Sequence, residues 1–130
     1  MKGYETVMDD SQTATRKFQK EITSGIASLI LLSVMDHEDK PMYGYQISKV
    51  LGLKDDEAPL MKQGALYPVL RSLEKYGLLS SEVEPSVSGP PRRYYSITNQ
   101  GKQSLELWTE LWQEIKTFVD HILEGNLSDE

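Results

Sequence analysis

The chain contains no cysteine. That excludes a disulfide framework and any thiolate metal site. Histidine is scarce too: only His37 and His121, far apart in the sequence. No serine sits in a glycine-rich nucleophile elbow for either of them to serve as base. The chain is therefore read as a non-enzyme, and no cofactor or metal is expected. Long apolar runs are missing. The longest, Ile26 to Met35, is interrupted by Ser28 and Ser33 and is too short to span a bilayer. No signal peptide is visible, so a soluble, cytoplasmic protein without membrane contact is expected. There is no low-complexity tract and no internal repeat.

Positive charge is in the minority. Fourteen Lys and Arg face twenty Asp and Glu, a net charge of −6, which argues against a protein that simply coats itself in nucleic acid. The distribution is uneven, however. Between Lys62 and Lys102 six basic residues meet three acids, a local net of +3 on an otherwise acidic body. A basic region of this kind is an electrostatic footprint for phosphate. The chain has 130 residues, 38% of them hydrophobic. That is enough for one domain with a modest core.

The most informative stretch is Gln63 to Leu79. Leu66, Val69, Leu70 and Leu73 fall on one helical face. Pro68 is tolerated only in a first turn, so the helix starts near Gly64 to Tyr67 and stops before Gly77. Its open face carries Tyr67, Arg71 and Lys75, the composition of a helix that enters a DNA groove. A surface helix with ordinary solvated charges is the plain alternative. Upstream, Tyr43 to Leu51 predicts a second helix that buries Tyr43, Ile47, Val50 and Leu51 and ends at Gly52. A polar loop, Lys54 to Pro59, joins the two in a helix-turn-helix arrangement with a long linker.

After Leu79 the period changes from 3.6 to 2. Ser81 to Pro85 and Arg92 to Thr98 alternate around the turn Ser86-Val87-Ser88-Gly89-Pro90-Pro91, predicting a two-stranded hairpin. A hairpin directly after a helix-turn-helix is a wing. Arg92 and Arg93 near its tip would lie over phosphate or in the minor groove. Alternatively they pair with the acidic body.

Two longer helices complete the pattern. Lys17 to His37 is apolar nearly all round, which predicts a buried helix. It breaks at Asp36-His37-Glu38-Asp39-Lys40-Pro41, read as a solvated loop rather than a metal cluster. Thr98 caps a last helix from about Asn99 to Glu124. There Leu105, Trp108, Trp112, Ile115, Val119 and Ile122 are spaced 3, 4, 3, 4 and 3 apart, with Leu111 and Phe118 widening the stripe. That is the seam of a helix packing along another helix. The expected partner is the same helix in a second copy, with the N-terminal helix joining. The tryptophans are then either dimer core or part of a flat aromatic slot for a planar ligand.

The residues Tyr43-Gly44-Tyr45-Gln46-Ile47, Gly64-Ala65-Leu66-Tyr67-Pro68, Gly77-Leu78-Leu79, Pro91-Arg92-Arg93-Tyr94-Tyr95 and Ile97-Thr98, with Gly101, resemble the PadR family of transcription regulators. The resemblance covers about Glu21 to Leu123, and the single C-terminal helix is similar to the family's smaller branch. It implies a mainly α fold with a small β-hairpin wing, that is, a winged helix-turn-helix plus a long C-terminal dimerisation helix. The expected organisation is a flexible segment 1–16, a DNA-binding domain 17–98, a dimerisation helix 99–124 and a flexible tail 125–130. The resemblance further implies a homodimeric repressor on an inverted-repeat operator in double-stranded DNA, released by a small aromatic effector. Gln63, Gly64, Tyr67, Arg71, Lys75, Arg92 and Arg93 are the implied DNA-binding residues. Trp112 is the implied effector contact; Trp108, one turn away, is a further candidate but is not part of that match. Leu105, Trp108, Leu111, Trp112, Ile115, Val119 and Ile122 form the implied dimer interface. Two positions depart from the family pattern. Ala65 lacks the hydroxyl often found there, and Pro90 replaces a basic residue at the wing tip. A winged-helix scaffold for protein partners, without specific DNA binding, is the alternative.

Overall fold

The computed structural model describes residues 10–53 and 61–126. The elements run in chain order as α1 (Asp10–Glu38), β1 (Met42–Tyr43), α2 (Gly44–Leu51), a short 3-10 turn (Gln63–Ala65), α3 (Leu66–Lys75), β2 (Leu79–Glu84), β3 (Arg92–Ile97) and α4 (Asn99–Leu123). The chain is mainly helical with one small antiparallel sheet, ordered β1-β3-β2. A helix-turn-helix followed by a β-hairpin is a winged helix, and a long C-terminal helix is appended to it. The expected loop from Lys54 and the end of the tail lie outside the described residues.

The core is built from one face of each element. Ala27, Leu31, Leu32 and Met35 of α1 meet Ile47 of α2, Leu66, Leu70 and Leu73 of α3, and Met42, Leu79 and Tyr95 of the sheet. Each fully buried leucine contributes roughly 1.5–3 kcal/mol. On α3 the buried positions are those the 3.6-residue period selects, with Val69 half-buried. Pro68 occupies the first turn of the helix, where no backbone donor is lost.

Several expectations are corrected. Residues 10–16 of the segment expected to be flexible are helical, because α1 already begins at Asp10. Its polar start is held by local bonds such as Thr15 Oγ1 to the Ser11 carbonyl (2.8 Å) and by the Lys17–Glu21 ion pair (2.6 Å) rather than by an apolar stripe. The helix also does not break at Asp36 but continues to Glu38. There Asp39 turns the chain with a left-handed φ of 50°. Nor is α1 buried all round: Ile22 is exposed, and only the Ala27–Leu31–Leu32–Met35 side reaches the core. On α2, Val50 is exposed, while Gly44 and Ser48 join Ile47 inside. Finally the sheet has three strands. Met42 and Tyr43, the latter read as the start of a helix, pair with Tyr95 and Tyr94 of β3. Tyr43 then serves as the N-cap of α2, and its backbone N–H donates to Gln46 Oε1 (3.1 Å).

The wing root is locked to α4. Thr98 caps α4 by accepting from the Gly101 N–H (2.9 Å). Its hydroxyl in turn donates to the Gly77 carbonyl (2.7 Å), at the bend between α3 and β2. Gly101 sits so close to that bend that a Cβ would run into the Leu78 carbonyl oxygen and reach 2.8 Å from Ile97 Cγ1. The base of the wing and the last helix are therefore one packed unit.

Candidate nucleic-acid interface

The exposed side of α3 is set by what its other side buries. With Leu66, Leu70 and Leu73 committed to the core, Tyr67, Arg71 and Lys75 recur every fourth residue on the open face, with Ser72 beside them. All three are exposed. Among the described residues Arg71 makes no ion pair, and Lys75 lies 5.8 Å from the Tyr76 ring centroid. Tyr67 is anchored instead: its ring lies over Gly44 at the N-terminus of α2. Gln63 is half-buried in the 3-10 turn that leads into α3, and Gly64 beside it is exposed. The two elements of the helix-turn-helix are thus clasped through one tyrosine on one glycine.

The wing arginines point to opposite faces of the sheet, as consecutive strand residues must. Arg92 is on the face of Tyr43 and Tyr94, paired across the ladder with Glu84. Its guanidinium lies 4.5 Å from the Tyr43 ring centroid, and Tyr43 meets Tyr94 edge-on at 5.3 Å. Arg93 is on the face that leads to the core. Its Nη1 donates to Ser81 Oγ (2.9 Å), and Ser81 donates to Glu74 Oε2 on α3 (2.7 Å). The tip from Pro85 to Pro91 carries no charge, and Val87 at its crest is fully exposed. The arginines stand at the first rungs of the ladder below the tip.

Tyr95 reports on the charges between wing and helix. Its phenol titrates above the usual tyrosine range, chiefly because burial disfavours the phenolate and further because of the Glu74 carboxylate. Arg93 and Arg71 oppose that shift. Arg71, Glu74 and Arg93 therefore share one electrostatic neighbourhood around Tyr95.

The expected effector and dimer residues gather on α4, away from α3. Leu105 and Trp108 are half-buried against the core of their own chain. Farther along, Leu111, Ile115, Val119 and Ile122 are all exposed. Between α1 and α4 lies an open groove of about 800 Å³, lined by Ile22, Ile26, Leu29, Trp108, Trp112 and Ile115. Glu21, Lys116 and Asp120 also line it, and Lys116 pairs with Asp120 at 3.0 Å. Trp112 lines a second hollow of about 300 Å³ as well, with Leu29, Ile30 and Val34. Among the described residues the helix that lies along α4 is α1 of the same chain, which the sequence reading expected only to join a second copy of α4.

Sequence reasoning passed over three residues of the interface: Ser81, Glu74 and Tyr43 as a platform for Arg92. Ser81 faces Tyr95 in the hairpin register, so strand alternation alone puts it beside Arg93. The bond to Glu74 depends on how the wing folds back on α3, which no local pattern records. Around His37 and Asp36 nothing assembles. His37 Nδ1 lies 2.8 Å from the Ser33 carbonyl oxygen, and no metal-binding cluster occurs among the described residues. No helix among the described residues is long and apolar enough to cross a membrane.

Comparison with known proteins agrees with this architecture. Residues 31–107 match the family model described as the transcriptional regulator PadR-like family. An uncharacterized protein of Lysinibacillus sphaericus is 30% identical over 107 residues, which is 82% of this chain and 96% of that protein. A PadR family transcriptional regulator from Eggerthella lenta superposes with a TM-score of 0.69 at 30% identity, covering 88% of this chain and 95% of that one. A PadR-like transcriptional regulator from Bacillus cereus gives a TM-score of 0.63 at 28% identity, covering 81% and 98%.

Proposed function

The chain belongs to the PadR-like family of transcriptional regulators, and from that premise we propose that it is a homodimeric repressor reading an inverted-repeat operator. The observation that carries this reading is the row Tyr67, Arg71 and Lys75, exposed on α3 while the opposite face of the helix is fixed in the core. Arg71 is the base-reading residue of that row, since a planar guanidinium matches the O6 and N7 edge of guanine. Lys75 neutralises phosphate. Gln63 and Gly64 bring backbone close to the duplex at the start of α3. Arg92 and Arg93 place positive charge on the wing above its root. The local net of +3 outweighs the acidic body, because charges farther off than a Debye length of roughly 8 Å are screened.

The exposed stripe Leu111, Ile115, Val119 and Ile122 supports a second copy as partner, with the exposed Ile22 edge of α1 joining it. Two recognition helices held about 34 Å apart would then enter successive major grooves. The groove beside Trp108 and Trp112 is the proposed effector site, suited to a flat aromatic ligand with one polar or cationic group near Glu21 and Asp120. Such a ligand releases DNA only by binding the released geometry better than the bound one.

The test is binding to the DNA upstream of the protein's own gene against random duplex of equal length, at several salt concentrations. Preference for the upstream fragment, with affinity falling steeply as salt rises, is the expected result. Absence of binding even at low salt would favour the scaffold alternative, for which the uncharged wing tip and exposed Val87 are the supporting observation.

A further inference from the structure

Beyond Ser81 the wing leaves the body of the protein. Glu82, Val83, Glu84, Arg92 and Arg93 are all exposed, so no core contact fixes the angle of this half against α3. Among the described residues two devices reach it. On one face Arg92 stacks on Tyr43. On the other, Arg93 donates to Ser81, which donates to Glu74 of α3. Only the second joins the wing to the recognition helix itself.

Glu74 is an odd residue to find there. It is half-buried on the flank of α3, one turn past Arg71 and next to Lys75, in the basic part of the chain. A carboxylate so near a phosphate backbone repels it. The hydrogen-bond chain gives the acid a different task. Ser81 has one proton to donate and donates it to Glu74, which leaves its lone pairs to receive Arg93. The serine therefore orders the guanidinium only while the carboxylate orders the serine.

We propose that Glu74 is a positioning residue for DNA binding, setting the wing against the recognition helix through Ser81 and Arg93. It touches no DNA. Its effect is to fix the distance between the major-groove contact of α3 and the backbone contact of the wing, so that both engage one half-site together. This inference rests on the DNA-binding reading above.

The sign of the effect separates this role from simple charge. Removing an acid beside DNA strengthens binding to every sequence if only repulsion is at work. If Glu74 holds the wing, Glu74→Ala weakens operator binding instead. Ser81→Ala, which changes no charge, weakens it equally, by roughly two- to tenfold, the factor of one ordinary hydrogen bond. Glu74→Gln keeps an acceptor for Ser81 and restores affinity to the native level or above.

The second readout needs no DNA. Backbone amide exchange across 82–84 and 92–94 in the free protein is expected to quicken in Glu74→Ala and Ser81→Ala while α1 and α4 stay unchanged. Tighter or unaltered operator binding by Glu74→Ala would overturn the positioning role. So would unaltered wing exchange in both variants. If the native chain binds no duplex at all, the DNA-binding reading fails, and the exchange measurement still decides whether the brace exists.

Discussion

The ring of Tyr67 lies across Gly44, so closely that a Cβ on the glycine would come within 2.7 Å of the hydroxyl oxygen and 2.8 Å of Cζ. One residue belongs to α3, the proposed recognition helix, and the other to the first turn of the helix before it. Their contact fixes the two halves of the helix-turn-helix. In the proposed complex it also sets where the phenol meets DNA. Gly44→Ala forces the ring to move. The ring is partly exposed and can swing outward, so the expected cost in stability is small, under about 1 kcal/mol. The expected cost in DNA affinity is larger. A double-mutant cycle with Tyr67→Ala checks it: the two losses should be non-additive, because both remove the same contact. Additive losses would show that Gly44 acts elsewhere.

Gly101 presents the opposite case. There the added Cβ meets the Leu78 backbone carbonyl, which cannot swing away. Gly101→Ala should therefore lower global stability by roughly 1–3 kcal/mol, as over-packing does. Thr98→Ala removes the cap of α4 and the bond to the Gly77 carbonyl, at a cost of about 1 kcal/mol. Denaturant unfolding of the two variants, compared with Gly44→Ala, is the check. Equal stability of the Gly44 and Gly101 variants would contradict the packing described.

The exposed stripe of α4 carries a prediction about assembly. Ile115 is 45% exposed and Val119 42%, although their spacing is that of a buried seam. Ile115→Glu should leave the fold intact and weaken self-association by at least about 2 kcal/mol, as loss of a central interface anchor does. Sedimentation at several concentrations reads this directly. A native chain that stays monomeric at high concentration would remove the dimer from the account.

Much of this was legible in the sequence, for reasons that differ by element. The faces of α3 and the start of α4 at Thr98 follow from period and capping, both local properties. The hairpin follows from alternation, and the same alternation already sends Arg92 and Arg93 to opposite faces. What escaped was non-local. β1 is only Met42 and Tyr43, a strand made by its partner β3 and not by its own pattern. α1 begins at Asp10 among polar residues that carry no apolar stripe. Ile22 and Val50 read as core because a hydrophobic period shows that a face is apolar, not that something covers it. At the interface, the residues of α3 stood out in the sequence. The Glu74–Ser81–Arg93 chain did not, since a residue on α3 and one on β3 meet only after folding.

Tyr95 sets a limit on alkaline stability. Its folded phenol titrates above the free value of 10.0, through burial first and then Glu74. The folded state thus holds the proton to higher pH than the unfolded state does. The resulting stability is fully present below pH 10.0 and is lost as pH rises through the higher folded value. Tyr95→Phe should show a shallower fall in stability over that alkaline range. Parallel curves for the two proteins would exclude Tyr95 as the source.

The central claim is that α3 reads sequence, and the affinity ratio between a preferred site and random duplex tests it most directly. That ratio is measured for the native chain and for Arg71→Ala at one fixed salt concentration. The account predicts that the variant loses roughly 1–3 kcal/mol on the preferred site and far less on random duplex, so the ratio collapses. An equal loss on both would make Arg71 a phosphate contact, and a native ratio near one would contradict sequence-specific recognition by this helix.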